Sequence, residues 1–123
     1  MTLQDRPHYR RPSDCPKFPK FANLYVDAWM TVRPMSTRQG ELYATAGGVQ
    51  YPRQPITLDI NGTQLPIDIL LMGGHYTDGF GTVGRRIKVQ AILVWTSNGM
   101  CVSHVVVEND FGERVALLVR PTS

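Results

Sequence analysis

The sequence predicts an all-β domain: a small closed or partly open antiparallel barrel of six to seven strands, led by an extended proline-rich N-terminal arm. Three observations carry that prediction. Apolar and polar residues alternate with period two in segment after segment from Asn23 onward, as strands with one face in a core require. Gly, Asn and Asp punctuate these segments at turn spacing. No segment carries a helical period, and residues 34–39 have room for one helical turn at most.

Length and composition fit a single domain. A chain of 123 residues with 42% hydrophobic and 19% charged side chains is ordinary for a globular protein, which argues against wholesale disorder. The organisation expected is an arm over 1–22 and a barrel over 23–123. Within the arm, Pro7, Pro12, Pro16 and Pro19 each fix φ and push the preceding residue towards extension, so helix is excluded. The arm reads either as a surface-draped leader or as a basic strap that tracks phosphates or a partner surface.

The first strand is expected in 23–33, where Leu24, Val26, Ala28, Met30 and Val32 share one face. Tyr25, Asp27, Trp29, Thr31 and Arg33 share the other. A shorter alternation over 41–46 sets Leu42, Ala44 and Ala46 opposite Glu41, Tyr43 and Thr45, and Gly47-Gly48 ends it. Residues 56–60 and 63–71 flank Asn61-Gly62, the pair best suited to a two-residue type I′ turn. That turn pairs Ile60 with Thr63, Leu58 with Leu65 and Ile56 with Ile67, so turn and apolar pattern specify one register. Pro66 cannot donate to a ladder and should face an unpaired edge or a bulge.

Five glycines within 73–84 indicate a long loop. Residues 85–95 form the next strand, with Ile87, Val89, Ala91, Leu93 and Trp95 on one side. After a turn at 96–99, residues 100–108 return, with Met100, Val102, His104 and Val106 expected to continue the Trp95 face. Ile92, Val94, Val105 and Val107 make the opposite face apolar too, so this hairpin is expected to be buried on both sides or to sit at a subunit contact. Residues 110–112 turn again, and 113–120 make the last strand. Closing such a sheet removes its edges.

The stretch GTVGRRIKVQAILVWTSNGMCVSHVVVEN resembles the end of an OB-fold: a glycine-ended loop, a strand with a basic start, an Asn98-Gly99 turn and a β-branched partner strand. Bacterial single-strand DNA-binding proteins and their plasmid- or phage-borne relatives resemble this part, over 84–109 in pattern and over 23–72 in strand order. The resemblance implies a non-catalytic OB-like barrel that binds single-stranded DNA or RNA as a homo-oligomer.

The residues themselves offer a matching surface. Tyr25, Trp29 and Arg33 alternate on the polar side of the first strand, and Tyr43 is expected on the equivalent face of the next. Rings on a wet face stack bases at about 1–3 kcal/mol each without regard to sequence. Arg86 and Lys88 share a face at the start of the fifth strand and would neutralise phosphates. The competing reading of the rings is a contact with the arm or with a second subunit.

Charge places the surplus on the arm. Arg6, Arg10, Arg11, Lys17 and Lys20 outnumber Asp5 and Asp14 there, which accounts for the net charge of +3. The body balances eight basic against eight acidic side chains. That neutrality, with the two-sided final hairpin, supports an alternative: an assembly module of a phage or secretion-type complex, its arm embracing a neighbour.

Chemistry finds few candidates. His75 with Asp78 is a possible general-base pair in the glycine-rich loop beside Tyr76 and Phe80, and Cys101 a possible nucleophile, but nothing assembles nucleophile, base and orienter. His104 reads as a satisfied core residue. No Cys/His spacing suits a metal, and no cofactor is expected. Cys15 and Cys101 leave open one bridge from arm to body or two thiols in a reducing compartment. No apolar run approaches a membrane span, and the basic N-terminus lacks the apolar stretch of a secretory signal, so a cytoplasmic protein is expected.

Overall fold

The computed structural model describes residues 23–38, 40, 42–72, 80–96, 99–109 and 111–121. The proline-rich arm, with Cys15, and the loop residues His75, Tyr76 and Asp78 lie outside them. Seven strands run through the described residues: β1 (Asn23–Val32), β2 (Tyr43–Ala46), β3 (Val49–Ile60), β4 (Thr63–Leu70), β5 (Arg86–Thr96), β6 (Gly99–Glu108) and β7 (Arg114–Pro121). Six close into an antiparallel barrel in the order β1-β5-β6-β7-β4-β3, with β3 returning to β1, and β2 is an extra strand on β3. The expected all-β barrel is what forms.

Closure depends on the length of β3. Its 12 residues offer one edge to two partners: the first four pair with β2, and Ile56–Asp59 pair with the end of β1. Pro52 and Pro55 hide the first half of this strand from a propensity reading, since proline cannot donate to a ladder. Their carbonyls are still used, by Leu71 N at 2.8 Å and Arg33 N at 3.0 Å. Where β1 leaves β3, the buried Gln54 donates its Nε2 to the carbonyls of Arg33 (2.8 Å) and Pro55 (2.9 Å), which satisfies a polar group in the barrel wall.

The β3–β4 hairpin has the register that its turn requires, with Ile60 opposite Thr63, Leu58 opposite Leu65 and Ile56 opposite Ile67. Asn61 (φ 52°) and Gly62 (φ 88°) both occupy the left-handed region of a type I′ turn, and Asp59 Oδ1 accepts from Gly62 N at 2.8 Å. Pro66 pairs with Thr57 on one side, while the β7 pairing starts only at Ile67, so its missing N–H has no second ladder to break.

One register expectation fails. A bulge between Ile92 and Leu93 sets Val102 opposite Leu93 but His104 opposite Ile92, with Ser103 as the extra residue. From that point the alternation of β6 inverts. Val105 and Val107 are buried in the interior, and His104 and Val106 face outward. His104 is therefore not on the core face; it is half-buried on the outside, its Nδ1 2.9 Å from Ser103 Oγ. The side chains of Trp95 and Met100 lie outside the described residues.

Met30, Ile56, Leu58, Ile60, Ile69, Leu71, Leu93, Val102 and Leu117 fill the barrel with almost no exposure. Phe80, expected in the loop, is buried in the same cluster. The strands on either side of the 73–84 segment, β4 and β5, are not neighbours in the sheet. The 33–38 segment holds no helical turn. On the outside, Ile92, Val94 and Cys101 are buried, so β5–β6 is covered on both faces at that end.

Candidate nucleic-acid interface

Strand alternation on β1 sends Ala28, Met30 and Val32 inward and leaves Tyr25, Asp27, Trp29, Thr31 and Arg33 outward. The neighbours of β1 extend that outer face sideways. Reading across β5-β1-β3, one row holds Lys88, Trp29 and Asp59, and the next holds Arg86, Thr31 and Thr57. Before them come Ile92 beside Tyr25 and Gln90 beside Asp27. Rows on one face are about 6.6 Å apart, so Tyr25 and Trp29 stand roughly 13 Å from each other.

Both rings are available to a partner: Tyr25 is 64% and Trp29 39% exposed. The guanidinium of Arg86 lies over the Trp29 ring, with Cζ 4.5 Å from its centroid, a cation–π contact. Lys88 is exposed beside the same ring. Trp29, Arg86 and Lys88 line a groove of about 450 Å³ that also takes in Asp27, Asp59 and the Asn61-Gly62 turn. The groove exists because the β3–β4 turn projects past the point where β3 meets β1.

Charge is ordered across it. Asp27 on β1 and Asp59 on β3 lie to one side of Trp29, and Lys88 and Arg86 on β5 lie to the other, with Lys88 in the same row as Asp59. Asp27 Oδ1 accepts from Gln90 Nε2 at 3.4 Å, and Gln90 Oε1 accepts from Arg114. Arg33 is half-buried, and its Nη1 is buried without an acceptor. An unsatisfied buried donor costs about 1–3 kcal/mol.

Of the six residues singled out from sequence, the structure thus gathers Tyr25, Trp29, Arg33, Arg86 and Lys88 on one surface. Tyr43 stands apart. It is 49% exposed, but β2 pairs with β3 and not with β1, and the register puts Tyr43 opposite Pro52, on the side of the sheet that faces the barrel interior further along. The expectation of an equivalent face assumed that successive strands were neighbours.

Asp27, Asp59 and Asn61 were not read as site residues from sequence. Asp27 was visible as a member of the polar face. Asp59 and Asn61 reach the groove only through the β1–β3 closure, for which the sequence carries no local signal.

Elsewhere, Arg53 and Asp68 form an ion pair at 2.8 Å, nearly buried, with Arg53 Nη2 also donating to the Pro121 carbonyl at 3.0 Å. This pair ties β3, β4 and the end of β7 together. Asn109 Oδ1 accepts from Phe111 N and Glu113 N at 2.9 Å each and shapes the last turn. Burial, and secondarily the positive charge of Arg120, hold the His104 imidazole below its ordinary value of 6.5. Cys101 is fully buried, so its sulfur is closed to a substrate arriving from solvent. No helix among the described residues is long and apolar enough to cross a membrane.

No family model, no curated protein and no solved structure matches the chain.

Proposed function

We propose that the outer face of β5-β1-β3 binds single-stranded nucleic acid, without catalysis, by stacking bases on Trp29 and Tyr25 and neutralising phosphates with Arg86, Lys88 and Arg33. The observation that carries this reading is the placement of Trp29, exposed under the Arg86 guanidinium and beside Lys88, at the edge of an open groove. Large rings on the wet side of a strand and cations interleaved with them are what a sequence-tolerant single-strand binder needs. Arg33, half-buried directly after β1, adds a further cation beyond the end of that strand.

Titration of the protein's tryptophan fluorescence with a thymidine oligonucleotide at low salt tests the proposal. Quenching that saturates, and that disappears in Trp29→Phe with Tyr25→Ala, is the expected result. An unchanged signal at low salt overturns it.

A further inference from the structure

We infer that the groove selects amino-bearing bases, guanine foremost, over thymine or uracil, an inference that rests on the nucleic-acid reading of the same surface. The arrangement of charge across the groove, on either side of Trp29, is the reason. A strand laid on a uniformly basic surface would be held by phosphates alone and read no base. Here the aromatic ring is bordered by carboxylates on one side and cations on the other.

Trp29, Lys88 and Asp59 share one row, Arg86 lies one row further towards the end of β1, and Asp27 one row the other way. The row spacing of about 6.6 Å is of the order of one nucleotide's phosphate-to-base reach. A phosphate at Arg86 and Arg33 sets its base over Trp29 and turns the base edge towards Asp59 and Asp27. The reverse orientation would press phosphate against two carboxylates.

Carboxylates only accept hydrogen bonds. They are therefore matched by base edges that donate. Guanine offers adjacent N1–H and exocyclic N2–H groups, two donors on one edge for the acceptors that Asp59 and Asp27 present. Adenine and cytosine offer one amino group each, and thymine and uracil a single ring N–H flanked by carbonyls that a carboxylate repels. Asp59 keeps an oxygen for this purpose, since only Oδ1 is engaged by the turn, at Gly62 N. Neither aspartate is in an ion pair among the described residues, where Arg53–Asp68 is the pair formed. The Asn61-Gly62 turn walls that end of the groove.

The test uses thymidine heptanucleotides whose second, fourth and sixth bases are all thymine, cytosine, adenine or guanine, titrated against the full chain at fixed salt. Guanine-bearing strands are expected to bind at least about fivefold tighter than the all-thymine strand, with cytosine and adenine between. In Asp59→Asn the guanine-to-thymine affinity ratio falls towards one, while the amide keeps an oxygen for the Gly62 N–H. Asp27→Asn lowers the ratio by a smaller factor. Equal binding of all four strands overturns the selectivity and leaves the nucleic-acid reading standing; no binding of any strand overturns both. A ratio unchanged in both variants overturns the assignment to these carboxylates.

Discussion

An exposed indole ring has two faces to satisfy, and Arg86 covers one of those of Trp29. The contact is worth about 0.5–1 kcal/mol at an exposed site, enough to hold the ring and the guanidinium in one arrangement before any ligand arrives. Replacing Trp29 with alanine removes a stacking platform worth about 1–3 kcal/mol per base, so affinity for a short oligonucleotide should fall roughly 5- to 150-fold in a binding isotherm, with thermal stability changed much less. His104 gives a prediction of a different kind. Its native value lies below 6.5, with burial as the larger cause and Arg120 the smaller. The unfolded chain therefore binds more protons than the native one once pH drops past 6.5. Stability contributed by this site is complete above that value and is lost as pH falls through the depressed native value. Urea unfolding at a series of pH values should show that decline, and His104→Gln should flatten it.

Among the elements, the β3–β4 hairpin was the most legible. Asn61-Gly62 requires positive φ at both positions, and the apolar pattern on either side agrees with the register it sets. A Cβ added at Gly62 would meet nothing within 4 Å, so Gly62→Ala is costly for backbone conformation and not for space. The loss should be about 1–2 kcal/mol by chemical denaturation. It should also weaken ligand binding, because this turn closes one end of the groove. β1 was legible for the same reason as the hairpin, since it alternates without interruption; β5 alternates only as far as Ala91, beyond which both of its faces are apolar. β6 was not, since a single extra residue at Ser103 inverts every side chain beyond it, and nothing in a run of valines marks where a bulge falls. The first half of β3 was hidden by Pro52 and Pro55, residues that ordinarily deny a strand.

At the scale of the whole molecule, local patterns name the strands but not their neighbours. The closing β1–β3 contact joins segments distant in the sequence, and it decides that Trp29, Arg86 and Lys88 line one groove with Asp59 while Tyr43 does not. The site was legible as a list of residues on wet strand faces; its acidic side appeared only when the barrel closed.

The central claim concerns the polyanion. The most direct measurement is fluorescence anisotropy of a labelled single-stranded oligonucleotide across a salt series, for the wild type, Arg86→Ala and Lys88→Ala. The account predicts binding at low salt, a linear fall of log affinity with log salt, and a slope shallower by about 0.7 for each cation removed. Absence of binding at low salt, or slopes that both variants leave unchanged, would contradict it.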